Sequence, residues 1–358
     1  MFFLKSIKLK SFRCVKTKEY SFNNKINIIC GKNATGKTSI VEAIHVLGVC
    51  KSHRTTSDNE LVNDGSMFYS LSAIVSDNDK LDDEITILYT QNRKKITLNN
   101  KMFKNMSEYI GYFKVVMFCP EDIVLVNGTP KDKRRFLDLN ISAFDREYIY
   151  FLMDYKRILK GRNEYLKNTN IETIDYVLLK TYSDKLVELG REIIRKRRMF
   201  ISELNNTYKE KVNIISGGTE EAFIEYLPNC DENLLWKNMQ NNIKYDIINK
   251  TTFVGPHKDN FIIKINNMDS SIYASQGQKK TLTLGIKLAL VDVIKKYDDK
   301  IIVILDDVFG ELDCERQNNI MKLITINHQI FITTTSVDGL IEEVLKNSKI
   351  INIEKEGI

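Results

Sequence analysis

The sequence lacks the patterns that are typical of secreted, membrane-spanning or disulfide-linked proteins. No run of apolar residues approaches the ~18 that a membrane helix needs. The amino terminus, MFFLKSIKLKSFRC, is interrupted by three lysines, so it does not have the pattern of a secretory signal. Six cysteines are scattered over 358 residues without a Cys-x-x-Cys pair, which argues against a zinc site and a disulfide framework. We therefore expect free thiols, a reducing cytoplasmic location and no membrane partner.

Proline is also scarce, since only four occur, and we find no internal repeat or low-complexity linker. The chain is long enough for one large or two ordinary domains with a sizeable core. Its 43% hydrophobic and 28% charged residues are ordinary for a globular protein. The formal net charge of +6 permits an anionic partner such as nucleic acid but does not require one. A more specific function has to come from local motifs.

The periodicity of apolar residues divides the chain into three parts. Residues 1–118 alternate between strand and helix patterns, and a helical period dominates from Asp132 onward. That block predicts two long antiparallel helices, and it covers too few heptads for a sustained coiled coil. From about residue 250 short strands return, among them KIIVILDDVFG, which is typical of a strand buried on both faces. The sequence thus predicts an α/β head of residues 1–118 and 250–358 with an inserted helical lobe, residues 119–249.

The octapeptide GKNATGKT matches the phosphate-binding pattern G-x-x-x-x-G-K-[ST] in full, between a strand pattern and a helix pattern. Its glycines let backbone N–H groups point at phosphate oxygens, and the helix start adds partial positive charge. We expect Lys37 to reach the β- and γ-phosphates of ATP and the Thr38 hydroxyl to bind Mg²⁺. The alternative is a glycine-rich loop that binds nothing. The predicted nucleotide-binding residues are Gly31, Lys32, Asn33, Ala34, Thr35, Gly36, Lys37 and Thr38.

A second candidate site lies at the end of the apolar strand IIVILD, where two carboxylates follow each other. Asp306 is the expected Mg²⁺ partner, through water, and Asp307 is placed to orient or deprotonate the attacking water. Adjacent acids beside a metal perturb each other's pKa values, which suits a general base. The alternative is an acidic cap at a surface strand end. The predicted catalytic residues are thus Lys37, Asp306 and Asp307, and the predicted metal ligands are Thr38 and Asp306.

Further stretches narrow the choice among P-loop ATPases. The segment from LKSIKLKSFRC to GKNATGKTSIVEAIHVLG resembles the amino-terminal signature of ATPase heads related to SMC proteins. Four more stretches resemble the RecF family of bacterial recombinational repair, and SQGQKK resembles that family's version of the ABC signature loop. The four stretches are KSHRT, VMFCPEDIVLVNGTPKDKRRFLDL, TTFVGPHKDNF and LDDVFGELD. The resemblance covers essentially the whole chain.

The resemblance implies an α/β fold: an ABC-type, SMC-like P-loop ATPase head with an inserted helical lobe and no long coiled coil. It also implies a cytoplasmic protein of DNA repair, replication, recombination and the SOS response. Such a protein would dimerise with ATP and Mg²⁺, clamp single-/double-stranded DNA junctions or gaps, and help load recombinase together with RecR and RecO. Slow, DNA-stimulated hydrolysis would release the DNA. One alternative is a nucleotide-binding scaffold without significant hydrolysis, and another is an ABC subunit driving a membrane partner.

Residue roles follow where the motifs match. The resemblance implies that Arg13 contacts nucleotide in the same subunit. It also implies that five residues contact the nucleotide of the other subunit in a dimer: Ser275, Gln276, Gly277, Gln278 and Asp313.

The sequence departs from the ABC pattern at three positions. Asp307 replaces the usual glutamate and is one methylene shorter, so we expect slow hydrolysis. Thr335 stands where ABC proteins have a switch histidine. No Q-loop glutamine can be placed, although Glu121 and Asp122 follow a strand at about the right point. The missing switches and the long helical insertion argue against a membrane-transport subunit.

Three basic clusters could touch DNA phosphates: KSHR, KDKRR and REIIRKRR. No base-reading motif is visible, so we expect DNA to be recognised by shape and phosphate rather than by sequence. The alternative is that these clusters are solvated helix faces. The candidate DNA-binding residues are Arg134, Arg135, Arg195, Arg197 and Arg198.

Overall fold

Strands dominate the two ends of the chain and long helices its middle. A computed structural model describes residues 2–77, 81–104, 106–109, 112–169, 173–309, 312–324, 328–337 and 342–354. The strands are β1 (Phe2–Phe12), β2 (Val15–Ser21), β3 (Ile26–Cys30), β4 (Phe68–Asp77), β5 (Asp83–Thr90), β6 (Arg93–Leu98), β7 (Lys101–Met102), β8 (Lys114–Phe118), β9 (Ala222–Leu227), β10 (Asn260–Ile265), β11 (Met268–Asp269), β12 (Ile301–Asp306), β13 (Gln329–Thr334) and β14 (Ser348–Asn352).

The helices follow the same pattern, with the two longest in the middle of the chain. They are α1 (Lys37–Val49), α2 (Met106–Tyr109), α3 (Val124–Asn127), α4 (Pro130–Ser142), α5 (Arg146–Asn168), α6 (Tyr176–Ile215), α7 (Leu235–Asn241), α8 (Ile243–Asn249), α9 (Ser270–Tyr273), α10 (Gln276–Lys295), α11 (Cys314–Ile324) and α12 (Glu342–Lys346).

The chain folds into two units, and each unit is built from stretches that are separated in the sequence. Unit 1 comprises Met1–Asp122, Glu210–Glu220 and Leu284–Ile358, and unit 2 comprises Ile123–Lys209 and Glu221–Thr283. These bounds differ from the predicted 119–249 lobe mainly after residue 250. The segment that follows belongs to unit 2 because β10 pairs antiparallel with β9, which is a long-range contact that periodicity does not reveal.

Unit 1 contains two sheets of different kinds. The six-stranded sheet has the order β2-β1-β4-β5-β6-β7, and all its pairs are antiparallel. Its last two connections are two-residue turns with positive φ at both positions, Gln91-Asn92 and Asn99-Asn100. Such mirror-image turns match the twist of the flanking strands, and asparagine tolerates them better than most residues.

The second sheet of unit 1 is parallel and carries the nucleotide motifs. Its order is β14-β3-β13-β12-β8, and every pair is parallel. All six residues of β12 are buried, which confirms the predicted doubly covered strand. Helix α1 lies between the two sheets, and its apolar residues join both in one core. This double coverage explains why α1 is apolar almost all round.

Unit 2 is built around the two longest helices. Contacts between Tyr148 and Arg197 at one end, and between Tyr165 and Tyr182 at the other, show that α5 and α6 are antiparallel, as predicted. With 23 and 40 residues they are too short for the long arms of a coiled-coil protein. A three-stranded sheet of order β11-β10-β9 completes the unit.

The structure describes the side chains of five of the six cysteines and most of the helices that bear on the sequence pattern. Cys14, Cys30, Cys50, Cys119 and Cys230 are free thiols. Within the described ranges, no helix combines the length and the apolar character needed to cross a bilayer.

Candidate nucleotide-binding site

Four strand ends of the parallel sheet bring the candidate site together. The P-loop follows β3, Asp306 ends β12, Thr333 and Thr334 end β13, and the segment from Cys119 follows β8. The register pairs Asp306 with Thr333 and Leu305 with Phe118, so these strands end at one edge. Ligands of open α/β sheets bind at this carboxyl edge.

The P-loop has the backbone conformation that its glycines predict. Gly36 has a φ of 96° and Ala34 a φ of 62°, so the loop turns through left-handed conformations before α1 begins at Lys37. At Gly31 the constraint is space instead, because a Cβ there would lie 2.4 Å from the backbone oxygen of Ile353. The wrapped loop and the helix start expose N–H groups of the kind that hold phosphate.

The Lys37 side chain folds back onto the P-loop backbone. Its Nζ donates to the backbone oxygens of Gly31, at 2.5 Å, and Lys32, at 3.0 Å. The side chain is buried, with 7% of the residue exposed. An ammonium has three N–H donors, so two carbonyl partners leave one N–H for an anion. This geometry suits the phosphate-binding role predicted for Lys37.

Asp306 lies beside the P-loop threonine. Its Oδ1 is 3.5 Å from Thr38 Oγ1 and accepts a hydrogen bond of 2.6 Å from Thr333 Oγ1. Burial raises the pKa of Asp306, the Thr333 hydrogen bond lowers it, and the neighbouring Asp307 and Glu121 carboxylates raise it again. The net pKa lies above the ordinary value, chiefly because of burial, and a bound cation would lower it.

Thr38 and Asp306 fit a magnesium ion bound with phosphate. Two oxygens at right angles on an octahedral Mg²⁺ lie about 3.0 Å apart, given metal–oxygen distances near 2.1 Å. The observed 3.5 Å is close to that value. Within the described part of the chain, no group of three or more His, Cys, Asp or Glu residues could hold a metal by itself. Magnesium commonly takes only one or two protein ligands and completes its shell with phosphate oxygens and water.

Asp307 differs from its buried neighbour. It is exposed and has a φ of 53°, and its backbone N–H donates to Thr333 Oγ1 at 2.8 Å. Its carboxylate is therefore free to meet solvent, as a water-orienting group must be. Two further charges act on Asp306. Glu121 raises its pKa and Arg54, from the KSHR cluster, lowers it.

Arg13 is held by an acid on the P-loop helix. Its Nε and Nη2 donate to the two carboxylate oxygens of Glu42, at 2.9 and 2.7 Å, and Nη1 donates to the backbone oxygen of Glu60. Ser52 Oγ also donates to Glu42. Burial alone would raise the pKa of Glu42, but the Arg13 and Ser52 hydrogen bonds hold it below its ordinary value. Glu42 thus fixes Arg13 and the KSHR loop beside the P-loop, and the nucleotide contact of Arg13 stays a prediction.

The signature segment begins a helix, and it does so as a capping box. Ser275 Oγ accepts from the backbone N–H of Gln278 at 3.2 Å, and the Gln278 side chain accepts from the Ser275 N–H at 2.9 Å. This reciprocal pair starts α10. Ser275, Gln276 and Gly277 are exposed. Among the described residues, no atom lies within 4 Å of a Cβ added at Gly277, so packing within the chain does not explain this glycine.

The remaining sequence candidates near the site have local roles as well. Asp313 is exposed, and its Oδ1 accepts from the backbone N–H of Arg316 at the start of α11. Its neighbours 310 and 311 in the GELD motif lie outside the described residues. Thr335 is exposed just after β13. Asp122 is paired with Lys287 at 2.7 Å, which ties the end of β8 to α10 within unit 1.

Comparison with known proteins confirms the family resemblance. A family model described as the RecF/RecN/SMC N terminal domain matches residues 3–357. The DNA replication and repair protein RecF of Lactobacillus gasseri is 36% identical over 364 residues, which span 98% of this chain and 97% of that protein. The chain belongs to the RecF family. A RecF protein of the same description from Bacillus cereus is 37% identical over 371 residues, covering 98% of this chain and 96% of that protein.

Solved structures give the same answer for the fold. A structure of the recombination mediator protein RecF-ATPrS in the RecFOR pathway superimposes with a TM-score of 0.84 and 33% identity, and covers 95% of this chain and 94% of that one. The Smc head domain of Pyrococcus furiosus has a TM-score of 0.58 at 16% identity, covering 99% of this chain and 94% of that one, which is a likeness of fold alone. The predicted SMC-like, ABC-type head is therefore confirmed for this RecF-family chain.

The structure separates the five candidate DNA-binding arginines. Arg195 is exposed and bonded to Glu192, and Arg198 bonds to Glu232. Arg135 is exposed, whereas Arg134 is partly buried and donates to the backbone oxygen of Asp259.

Arg197 is different, since its side chain is 2% exposed. Its guanidinium donates to Asp259 at 2.8 Å, Asp138 at 2.8 Å, the Pro256 backbone oxygen at 2.7 Å and Tyr148 at 3.0 Å. A guanidinium so enclosed has no surface to offer a phosphate, and its role in this structure is to hold the interior of unit 2 together.

The GPHKD motif belongs to the same interior. His257 Nε2 lies 2.9 Å from the Thr252 backbone oxygen, which can only accept, so Nε2 carries the proton. Nδ1 then accepts from the Tyr155 hydroxyl at 2.8 Å. Burial lowers the pKa of His257 to about 4, so the ring is neutral near pH 7. The motif that resembled the family thus serves the packing of unit 2.

Proposed function

We propose that this RecF-family protein is an ATP-dependent DNA-binding protein of recombinational repair and replication. ATP would join two heads into a dimer that clamps DNA at single-/double-stranded junctions or gaps. Slow, DNA-stimulated hydrolysis would then release it. The observation that carries the proposal is the carboxyl edge of the parallel sheet, where Thr38 Oγ1 of the P-loop lies 3.5 Å from Asp306 Oδ1. A further solved structure, of the recombination mediator protein RecF-ATP in the RecFOR pathway, superimposes on this chain with a TM-score of 0.81 at 33% identity and supports the choice of nucleotide.

In this scheme each residue at the edge has one task. The P-loop N–H groups and Lys37 hold the β- and γ-phosphates, and Thr38 and Asp306 hold the Mg²⁺ that neutralises charge developing on the phosphates. The exposed Asp307 orients the attacking water. Because its carboxylate is one methylene shorter than the usual glutamate, we expect the water to be held less well and hydrolysis to be slow.

The signature segment would complete the site of the other subunit. Ser275, the N–H groups of the first turn of α10 and the space beside Gly277 would face the γ-phosphate bound by the partner, with Asp313 nearby. The exposure of Ser275 and Gly277 supports this assignment. A helix start also favours an anion. A monomer would then bind ATP but hydrolyse it poorly.

DNA would be held by phosphate contacts without sequence specificity. The candidates are Arg134, Arg135, Arg195 and Arg198, and we leave Arg197 out because it is buried. Of these, Arg135 is the strongest candidate, since its exposed side chain lies on α4 at the start of unit 2. The partners would be RecR and RecO type mediators, and through them recombinase, in the bacterial cytoplasm and the SOS response. The name of the RecFOR-pathway relatives supports this part of the proposal.

Single-turnover ATP hydrolysis with and without a gapped duplex tests the proposal. Wild-type protein should turn over slowly and faster with DNA. Lys37→Ala should lose nucleotide binding, and Asp307→Asn should bind ATP and accumulate as a dimer in light scattering. ATP binding without turnover in the wild type would favour the scaffold alternative. A protein that stays monomeric with saturating ATP and DNA would contradict the clamp.

A further inference from the structure

A buried hydroxyl joins the two acids at the end of β12. Thr333 is on β13, directly beside Asp306 in the parallel register, and is 1% exposed. Its Oγ1 lies 2.6 Å from Asp306 Oδ1 and 2.8 Å from the backbone nitrogen of Asp307. One side chain therefore contacts both Asp306 and Asp307.

The direction of both hydrogen bonds follows from chemistry. A backbone N–H can only donate, so Thr333 Oγ1 must accept from Asp307. An ionised carboxylate can only accept, so the single proton of the hydroxyl goes to Asp306. The hydroxyl therefore cannot rotate without breaking one bond, and a side chain lacking it leaves a buried N–H and a buried carboxylate oxygen each short of a partner.

One hydrogen bond orients the Asp306 carboxylate, and the other holds the backbone of Asp307. The bond to Oδ1 sets the orientation of the Asp306 carboxylate relative to Thr38, whose hydroxyl lies 3.5 Å from the same oxygen. The bond to Asp307 captures an N–H where the chain leaves the sheet in a left-handed conformation, at φ 53°. Such a conformation persists in a non-glycine residue only when its surroundings hold it. Thr333 supplies part of that support.

We propose that Thr333 is a positioning residue that holds Asp306 for Mg²⁺ and Asp307 for the attacking water. The inference rests on the proposed function, since it assumes that Asp306 serves a metal bound with ATP. Groups that orient metal ligands from behind change metal affinity or activity by about 10- to 100-fold when they are removed. Neither the P-loop pattern nor the acid pair requires a hydroxyl at this position.

The test compares Thr333→Val, which keeps the shape and removes the hydroxyl, with Thr333→Ser, which keeps the hydroxyl. The first measurement is the affinity for a fluorescent ATP analogue in EDTA and at a series of Mg²⁺ concentrations. In EDTA, Thr333→Val should bind the ATP analogue as tightly as wild type does. It should need about 10- to 100-fold more Mg²⁺ to reach the same increase in affinity for the analogue. The second measurement is single-turnover hydrolysis, which should fall by a similar factor, while Thr333→Ser stays within about threefold of wild type.

Thr86→Val is the control, because it makes the same substitution on β5 and removes a hydrogen bond to Ser72 in the antiparallel sheet. It should behave as wild type in both assays. Thr333→Ala replaces the valine variant if that protein does not fold. The inference is overturned if Thr333→Val keeps the wild-type Mg²⁺ response, if Thr333→Ser is as impaired as Thr333→Val, or if binding in EDTA falls equally. Absence of hydrolysis in the wild type would refute the proposed ATPase activity alone, since the Mg²⁺ response still tests Thr333.

Discussion

Replacing Arg197 should destabilise the fold and leave DNA affinity unchanged. The side chain makes four hydrogen bonds within unit 2, two of them to carboxylates. Arg197→Ala leaves Asp259, which is 0% exposed, without its cation. Breaking a buried ion pair by removing one partner costs about 3–5 kcal/mol. For a unit of this size that predicts a fall in Tm of roughly 6–20 °C.

The pH dependence of the loss identifies its cause. Burial already raises the pKa of Asp259, and Arg197 lowers it, so the variant should raise it further. A carboxyl whose folded pKa is raised costs stability at a pH above that pKa, where the folded state must carry the charge. The destabilisation of Arg197→Ala should therefore be largest near neutral pH and shrink as the pH falls and Asp259 becomes protonated.

Arg195→Ala is the matched control on the same helix. Its side chain is 53% exposed and pairs with Glu192 three residues away, and such surface pairs contribute about 0.5 kcal/mol or less. Thermal unfolding from pH 5 to 8 and DNA binding at two salt concentrations would be measured for both variants. If Arg197→Ala unfolds as wild type does but loses DNA affinity with a reduced salt slope, the interior role is refuted.

Two further predictions concern the glycines and the histidines. Gly31→Ala should lose ATP affinity by at least about tenfold in fluorescence titration, because the close backbone oxygen of Ile353 forces the P-loop to move. Gly277→Ala should keep the wild-type ATP affinity and raise the free energy of unfolding by up to about 1 kcal/mol, because alanine favours a helix. Equal losses of ATP affinity in Gly31→Ala and Gly277→Ala would contradict this prediction. His45 and His257, each with a pKa lowered to about 4 chiefly by burial, should destabilise the fold as the pH falls from 6.5 to 4, by up to about 3 kcal/mol each. Urea unfolding across that range checks this prediction. A variant with both histidines replaced by Gln should lose less stability than wild type over the same range, with part of the slope kept by His53 and His328, whose pKa values burial also lowers. An unchanged slope in that variant would contradict the prediction.

Local motifs predicted which residues the structure brings together at the P-loop and the end of β12, and their binding roles stay predictions. The P-loop and the acid pair are each contiguous in sequence, and the strand that carries the acids is a continuous apolar run, so Lys37, Thr38 and Asp306 could be placed beforehand. The capping box of Ser275 and Gln278 is equally local. These features depend on neighbours within a few residues, where backbone geometry leaves little choice.

Contacts between residues far apart in the sequence could not be predicted, because they depend on strand register and on the fold. Thr333 meets Asp306 because β13 pairs with β12. Arg54, which lowers the pKa of Asp306, lies in a loop whose Ser52 is bound to Glu42 on α1. Arg197 did carry a signal, since it is four residues from both Ile193 and Ile201, which are buried on the same face of α6. A charged residue in an apolar stripe indicates a buried partner, but its identity depended on the fold.

Subunit mixing tests the central claim, a nucleotide site shared by two heads, most directly. Lys37→Ala removes ATP binding in one head, and Ser275→Arg blocks the signature segment in the other, so neither protein alone should hydrolyse ATP. A mixed dimer has one intact site, built from the P-loop of the Ser275→Arg head and the signature segment of the Lys37→Ala head. Random pairing of two symmetric-dimer subunits in equal amounts makes about half of the dimers mixed, and each mixed dimer has one of its two sites intact. An equal mixture should therefore recover up to about a quarter of wild-type turnover. A mixture as inactive as its parts, despite mixed dimers being present, would contradict the shared site.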